Sequence, residues 1–551
     1  MAAATAPSRR LITLTLLALV CLAAWMRVHN AGEYHVSPDE INHIEMAQGH
    51  SAAEVLHRSL FETHPPLGHL IRHYWMMLSD SPGFLRTMAL VFGLMLIPLY
   101  YRIGAHLSGP WAGICTAALV AFSHGCIIQS YVVRNYTMLL FFLSSALYCY
   151  LLWRDSPAPR RLLLYAVFGT LAICTHFCAV FGLGCMGAVE TVSLLRNAER
   201  RRQLLPWLFT HAALGVVAYL LLREWSPLLD FTRAQVQAIT GPTRNWFYPV
   251  FAMNYLFVYR ASVPYVFVLC AFVTYGLCIL ALAQPSKRHA VTLAVVAVLA
   301  ASALVISRKY LAGMNRNSLW LLPFLAPPLG CALAMLCEKL RKDLPDALIA
   351  YMLLMLGYLS YESATRFRDV DEYMMTQTEW SDYSHYLGSL DESHLIISSR
   401  SDAFLIAYPA AQNLYDFYAP PKNDARGAFI PAKFTSLLPY RQAELLFKPY
   451  YFNYSPQDLV AIIQEAQDQG LLADIDTLVF PATLWSNNAT RKLMLCETLD
   501  RTVIAFPPLP KGQKLTSDAI DKLHALVLIV PKRTFMEQLV SPTGRGRPCL
   551  K

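Results

Sequence analysis

The chain has 551 residues, of which 55% are hydrophobic and only 15% are charged, and its mean hydropathy is +0.37. This composition excludes an ordinary water-soluble protein, which carries more charge and fewer apolar residues. The formal net charge of +9 does not indicate nucleic-acid binding, because Lys and Arg stand in short clusters between apolar runs. Such clusters set the orientation of membrane segments.

The first apolar run, Leu11 to Met26, follows Arg9 and Arg10. Charged residues before an apolar run are typical of a signal peptide, but no A-x-A cleavage site follows cleanly, and many apolar runs come later. We therefore predict an uncleaved first membrane helix. The 13 cysteines contain no CxxC pair, so the sequence indicates neither a disulfide framework nor a zinc site.

Positive clusters recur between the apolar runs, and the positive-inside bias assigns all of them to the cytoplasm. Two consecutive clusters must then enclose an even number of membrane crossings, and we call this constraint the even-number rule. From Arg161 to Arg196 only Glu190 interrupts the apolar stretch, which predicts two short helices with a turn near His176. The predicted spans, about 11 in all, are 11–27, 84–101, 110–128, 135–153, two within 161–196, 204–222, 261–283, 290–307, 319–337 and 345–361.

The loop at 28–83 is too long for a simple connector, and loops of this length are usually functional or disordered. Its segment from Pro66 to Ser79 is too short to span a bilayer and carries His69, Arg72 and His73. These features favour an interfacial juxtamembrane helix. The module at 1–361 is therefore expected to be mainly α and polytopic, with such interfacial helices in the first external loop.

Beyond residue 361 the apolar runs shorten to strand length. We predict that 362–551 forms an external soluble α/β domain. The predicted strands are Leu395 to Ser398, Leu478 to Phe480, Thr502 to Phe506 and Leu526 to Val530, and a helical pattern covers Leu459 to Gln469.

The motif Ser37-Pro38-Asp39-Glu40 in the first external loop is typical of a helix start, because Ser caps, Pro suits the first turn and acidic residues suit the helix dipole. Asp39 and His43 share a face of this helix. A carboxylate at the membrane surface can take a proton from an acceptor hydroxyl or hold a divalent metal. Asp39 and Glu40 are our candidate catalytic residues. In the alternative interpretation they only begin the helix.

Histidine is concentrated in the same loop, which holds eight of the 16 histidines. Metal binding by Asp39, His43 and His64 is one interpretation, although no HExxH or other recognised ligand spacing occurs. In the other, interfacial histidines only cover apolar surface. The sequence His64-Pro65-Pro66-Leu67 forces His64 into an extended conformation before a helix. This predicts His64 at the rim of the site, or simply a helix start.

Arg308, Lys309 and Arg316 lie in a short loop that the even-number rule assigns to the outside, where positive residues are depleted. A phosphate group is the natural partner for such residues, since Arg and Lys stabilise its charge. Arg134, in the external turn Gln129 to Asn135, can join them. The alternative is that each of these side chains extends to lipid headgroups.

Three motifs together resemble the integral-membrane C-type glycosyltransferases, specifically the protein O-mannosyltransferase and aminoarabinose-transferase-like group. The motifs are Ser37-Pro38-Asp39-Glu40-Ile41-Asn42-His43, His64-Pro65-Pro66-Leu67-Gly68 and Val133-Arg134-Asn135-Tyr136. They resemble that group's acidic pair, its HPPL segment and its external arginine-tyrosine turn. The likeness covers about 10–200 well, is loose from there to about 360, and does not extend to the C-terminal domain.

The resemblance implies a polyprenyl-phosphate monosaccharide donor, an external active site, inversion at the anomeric carbon, and Asp39 as the base or a metal-linked carboxylate. Relatives that transfer aminoarabinose carry a lysine where this chain has His64, and no β-rich domain is inserted between spans as in protein mannosyltransferases. His43, His64 and Tyr136 are expected to position the substrates, and Arg134, Arg308, Lys309 and Arg316 to bind the donor phosphate.

We therefore predict a glycosyltransferase of a bacterial inner membrane, with a cytoplasmic N-terminus and a periplasmic C-terminal domain. The sequence indicates no certain cofactor, and a divalent metal ion is the alternative. Its partners would be the lipid donor, membrane lipids and a glycan, lipid or protein acceptor. One rival is a transporter or flippase of lipid-linked glycans, which would place charges in the middle of its spans. Another is a scaffold, which leaves the acidic helix unexplained.

Overall fold

The chain divides into two compact units, one made of Met1–Ala31 and Val55–Asp369 and the other of Gly32–Glu54 and Val370–Lys551. The domain boundary at residue 361 stays a prediction. The structure, a computed structural model, describes 9–28, 38–49, 51–59, 64–79, 81–239, 287–307, 316–340, 394–396, 476–483, 501–506 and 525–540, with a few single residues between them.

The described part of the chain is mostly helical, and seven of its helices are long and apolar enough to cross a membrane. The protein is an integral, multi-pass membrane protein. The described helices are α1 (Arg9–Val28), α2 (Pro38–Ala47), α3 (Ala52–Ser59), α4 (Leu67–Met76), α5 (Pro82–Ser108), α6 (Pro110–Ala121), α7 (His124–Gln129), α8 (Tyr136–Asp155), α9 (Pro159–Thr175), α10 (Ala179–Arg196), α11 (Leu204–Ile239), α12 (Arg288–Ile306) and α13 (Leu322–Leu340), with 3₁₀ turns at Ala198–Gln203 and Arg316–Leu321.

Two predictions about the membrane segments are confirmed. The apolar stretch after Arg161 forms two helices, because α9 ends at Thr175 and α10 begins at Ala179. The segment after Pro66 forms a helix of only 10 residues, too short to span a bilayer. The count of 11 spans stays a prediction, since 261–283 and 345–361 lie outside the described residues.

The prediction of one continuous span at 110–128 is wrong. The helix breaks after Ala121, and a new helix begins at His124. Ser123 causes the restart, because its extended backbone leaves the helix and its side chain accepts a hydrogen bond from the backbone N–H of Cys126 at 3.3 Å. Composition alone conceals this break, since the residues on both sides are equally apolar.

A helix that ends within a bilayer leaves carbonyl groups that no water can satisfy. Arg27, a fully buried residue near the end of α1, meets this need. Its guanidinium donates hydrogen bonds to the carbonyls of Ala121 at 3.0 Å and Val120 at 3.5 Å, and to the hydroxyl of Ser130 at 3.2 Å. Arg27 therefore fixes both sides of the break to α1.

Small residues bring α6 close to its neighbours, as is common where helices pack in membranes. Glycines on α5 and α13, Gly104 and Gly330, both lie against Thr116 so closely that an added Cβ atom would overlap it. Gly113 of α6 lies in the same way against Tyr101 of α5. The broken helix is thereby held between α5 and α13.

An ionic cluster joins the ends of four elements around the fully buried carboxylate of Glu190 in α10. Arg200 donates to Glu190 Oε1 at 2.6 Å, and Arg154 lies 3.3 Å from Oε2. The Tyr150 hydroxyl donates to Oε2 at 2.8 Å, and His289 Nε2 lies 3.6 Å away. The cluster therefore brings Arg154 and Arg200 to the same end of the bundle, in agreement with the sequence, which assigns both basic clusters to the cytoplasm.

The short helix α4 is attached to the turn before α8 through Asn135. The buried side chain of Arg72 donates a hydrogen bond to Asn135 Oδ1 at 2.9 Å. Gly68 lies one turn earlier on α4, and a Cβ atom added there would stand only 2.5 Å from the same oxygen. The glycine that follows the paired prolines is thus required for this close approach.

The second unit contains a four-stranded mixed sheet in the order β1-β2-β4-β3. β1 pairs with β2 in parallel, and the other two pairings are antiparallel. Pro481 is tolerated in the inner strand β2 because β1 pairs only with its first three residues. All four predicted strands overlap the observed ones, which are β1 (His394–Ile396), β2 (Thr477–Thr483), β3 (Thr502–Phe506) and β4 (Ala525–Pro531).

Replacing Arg27 should destabilise the first unit, because Arg27→Leu removes the hydrogen bonds to the carbonyls of Ala121 and Val120 and to the Ser130 hydroxyl. We expect a loss of about 2–4 kcal/mol of unfolding free energy, measured by denaturation in detergent micelles. Arg10→Leu, at the exposed start of the same helix, is the matched control and should unfold as the native protein does. Native-like unfolding of Arg27→Leu would contradict this account.

Gly68→Ala should separate α4 from Asn135, since the new methyl group overlaps the amide. Overpacking of this kind costs about 1–3 kcal/mol, which thermal unfolding of the purified protein would detect. Gly215→Ala is the control, because an added Cβ there meets nothing within 4 Å. Equal unfolding midpoints for the two variants would exclude the proposed contact.

Candidate active site

One end of the helical bundle in the first unit gathers polar residues from several elements, and we call it the Tyr136 end. It consists of the turn 130–135, the first residue of α8, the residues between α9 and α10, and the 3₁₀ turn that begins at Arg316. Asn135 stands immediately before α8, and the Arg134 N–H donates to the carbonyl of Val132 at 2.8 Å. This tight turn directs Arg134 and Tyr136 into the same region.

Three aromatic rings meet at the Tyr136 end. The His176 ring lies 5.0 Å from the His64 ring and 5.0 Å from the Tyr136 ring, measured between centroids. The His64 and Tyr136 rings are 6.5 Å apart and nearly perpendicular. Edge contacts of this kind are favourable. The rings therefore form one buried group from the segment before α4, from α8 and from the turn after α9.

Two arginines face this ring group. Arg316 lies within hydrogen-bonding reach of the Tyr136 hydroxyl, and the charges of Arg316 and Arg134 both act on Tyr136 and on His176. Arg134 is buried, and Arg316 is half-buried. Guanidinium groups offer several N–H donors in a fixed plane, which suits a phosphate group. The structure thus brings together two of the four predicted phosphate-binding residues.

His176 is held in its neutral form. Burial, followed by the nearby His64, Arg134 and Arg316, keeps the pKa of His176 well below its ordinary value. Its Nδ1 accepts a hydrogen bond from the backbone N–H of Cys178 at 3.1 Å. A neutral ring that accepts at Nδ1 carries its proton on Nε2.

The remaining predicted residues are not part of this group. Arg308 and Lys309 lie outside the described residues. Asp39, Glu40 and His43 belong to the second unit, where α2 carries them. Glu40 and His43 are fully buried, and the side chain of Asp39 lies outside the description. The shared face of Asp39 and His43 therefore stays a prediction.

The described part of the chain contains no group of three or more His, Cys, Asp or Glu side chains that could hold a metal ion. The proposed metal ligands Asp39, His43 and His64 are divided between the two units. Metal binding by these three residues stays a prediction.

Two residues of the Tyr136 end, His176 and Asn135, were not predicted as part of the site from the sequence. The sequence predicted only a turn near His176. Its position between two short apolar helices nevertheless indicated a polar ring at the end of a helix. Asn135 was read only as part of a motif, yet it joins α4 to the turn before α8. The signal available for both was the even-number rule, which puts their turns at the same end of the bundle as Arg316.

The protonation state of His176 can be measured directly. We expect its imidazole to remain neutral, with the proton on Nε2, through the interval around pH 6.5 in which an ordinary histidine titrates, because its pKa is lowered well below that value. Nuclear magnetic resonance of protein labelled on histidine would report this state, with the signal assigned by its loss in His176→Asn. A His176 signal that titrates in this interval would contradict the assignment.

No family model matches the sequence, and no curated protein matches it. Among solved structures, the fold is similar to that of ArnT from Cupriavidus metallidurans in the apo state, with a TM-score of 0.52 and 12% identity over 94% of this chain and 97% of that chain. A second structure of that protein, bound to undecaprenyl phosphate, has a TM-score of 0.48 at 12% identity, over 94% of this chain and 97% of that chain.

The archaeal oligosaccharyltransferase AglB from Archaeoglobus fulgidus, in complex with an inhibitory peptide and a dolichol-phosphate, has a TM-score of 0.49 and 10% identity, over 86% of this chain and 69% of that chain. ArnT and AglB are both C-type glycosyltransferases. The extensive match to ArnT covers nearly the full length of both chains. The chain therefore has the fold of the C-type integral-membrane glycosyltransferases.

Proposed function

We propose that the protein transfers a monosaccharide from a polyprenyl-phosphate donor to an acceptor hydroxyl on the non-cytoplasmic face of the membrane. The observation that carries the proposal is the convergence of Arg134 and Arg316 on Tyr136 in a chain with this fold. The donor is of the same chemical kind as the undecaprenyl phosphate bound by ArnT. The acceptor would be a glycan, a lipid or a protein.

The charges at the two ends of the bundle support this orientation. The basic residues Arg154 and Arg200 gather at the Glu190 cluster, as expected for a cytoplasmic end. Arg134 and Arg316 lie at the Tyr136 end. If that end is non-cytoplasmic, the positive-inside bias predicts few positive residues there, so these two arginines need another reason. An anionic lipid headgroup on the non-cytoplasmic side accounts for them. The membrane would be a bacterial inner membrane, with the C-terminal domain in the periplasm.

In the proposed reaction, the acceptor oxygen attacks the anomeric carbon as the bond from that carbon to the phosphate oxygen breaks. Asp39 takes the proton of the acceptor hydroxyl, and the lipid phosphate departs with the bonding electrons. Arg134 and Arg316 stabilise the charge that grows on the phosphate, together with Arg308 and Lys309. Direct displacement inverts the anomeric carbon.

Other predicted residues have supporting roles in this mechanism. The buried Glu40 and His43 flank Asp39 on α2 and would orient the acceptor or the base. His64 and Tyr136 would bound the donor, since their rings are part of the group at the Tyr136 end. Close positioning of the reacting groups supplies much of the rate in such reactions.

The decisive experiment measures transfer of labelled sugars from a panel of polyprenyl-phosphate donors by protein purified into lipid nanodiscs. Asp39→Asn should lower kcat by about 10²–10⁴-fold, because the acceptor proton loses its base, while binding of the lipid is retained. Glu199→Gln, at an exposed position of the 3₁₀ turn Ala198–Gln203, is the control and should transfer sugar at the native rate.

The result that sinks the assignment of Asp39 is an Asp39→Asn enzyme with native activity. If the native protein binds polyprenyl phosphate but transfers none of the sugars, the transporter of lipid-linked glycans becomes the better interpretation. The same preparation, tested for lipid movement across a sealed vesicle, would separate these two functions.

A further inference from the structure

His176 deepens the proposed function, because its geometry leaves it one chemical task at the donor phosphate. The residue follows the last turn of α9 and adopts an extended backbone, with φ −161° and ψ 133°. This conformation removes it from the helix and turns it toward the rings of His64 and Tyr136. Only 8% of the residue is exposed.

The acceptor side of the His176 ring is already occupied. Nδ1 accepts the backbone N–H of Cys178, which has left helix α9 and has not yet entered the hydrogen-bond pattern of α10. A ring whose free lone pair is used in this way cannot serve as a general base without breaking the turn. Proton abstraction is therefore excluded as the role of His176.

The donor side is different. Within the described part of the chain, the only hydrogen bond of the His176 ring is the one at Nδ1. The Nε2–H is on the opposite side of the ring, and Nε2 is not one of the fully buried, partnerless side-chain atoms of the described residues, so a ligand atom can reach it. It lies among groups that attract anions, since Arg134 and Arg316 are close enough for their charges to act on the ring.

We propose that the Nε2–H of His176 donates a hydrogen bond to a phosphate oxygen of the polyprenyl-phosphate donor, and so makes His176 a donor-binding residue. This proposal rests on the proposed function. A neutral donor adds to the hold of the two arginines on the phosphate without adding a third charge to a buried site. The hydrogen bond that Nδ1 accepts from Cys178 agrees with such a role, because it leaves the ring proton of the neutral imidazole on Nε2.

Two substitutions separate the two nitrogens of the ring. His176→Asn keeps an acceptor oxygen near the position of Nδ1 and removes the donor at Nε2. His176→Gln carries an amide N–H to the position of Nε2 and gives up the acceptor. The first variant is therefore expected to keep the turn with Cys178 but lose the phosphate contact, and the second to do the reverse.

The probe is undecaprenyl phosphate, with undecaprenol as the matched lipid that lacks a phosphate. Binding is measured on the full chain in nanodiscs. His176→Asn should bind undecaprenyl phosphate about tenfold to a hundredfold more weakly than the native protein, as for a lost hydrogen bond to a charged group. His176→Gln should recover most of the affinity, and undecaprenol should bind native protein and variants alike.

Three outcomes would overturn the proposal for His176 alone. These are native affinity in His176→Asn, equal weakness of the Asn and Gln variants, or an equal loss of undecaprenol binding, which would indicate a general change of structure. Thermal unfolding of both variants identifies that last case. A native protein that neither binds undecaprenyl phosphate nor transfers sugar from it would overturn the proposed function together with this inference.

Discussion

The first unit depends on how Arg27 satisfies the break between α6 and α7. Its guanidinium donates to the carbonyls of Val120 and Ala121, which a continuous helix would satisfy with its own backbone N–H groups. The break instead allows α7 to run separately and end at Gln129, so that the next residues form the turn that carries Arg134. A buried cation is expensive in lipid, and its cost is offset only because several oxygens surround it. The position of the turn that carries Arg134 thus depends on Arg27, a residue more than 100 positions earlier in α1.

The two ends of the bundle hold their charges by different means. At one end, the Glu190 carboxylate is shared by Arg154 and Arg200, with Tyr150 and His289 completing its surroundings. This arrangement ties several elements to one buried carboxylate, and buried polar networks of this kind rigidify a structure. At the Tyr136 end, the charges of Arg134 and Arg316 instead act on the buried rings of Tyr136 and His176.

Apolar periodicity and charge distribution predicted the helices correctly where these are long and bounded by basic residues, as for α8 and the pair α9 and α10. They failed at Phe122 and Ser123, because a break that depends on a hydrogen bond from Arg27 leaves no mark on local hydropathy. The convergence of Arg134 and Arg316 was accessible to the even-number rule. The role of Asn135 was not, since its contact with Arg72 joins residues 63 positions apart. Asp39 stays a prediction from its motif.

The contact of Gly68 with Asn135 links two segments that the sequence presents as separate motifs. Because the amide fills the space where a side chain on α4 would stand, neither position can change independently. A relative with a larger residue at the first position would need a smaller one at the second, and would then lose the oxygen that Arg72 contacts. We therefore expect the three positions to covary in an alignment of homologues, so that the conserved unit is a packed trio drawn from two motifs rather than either motif alone.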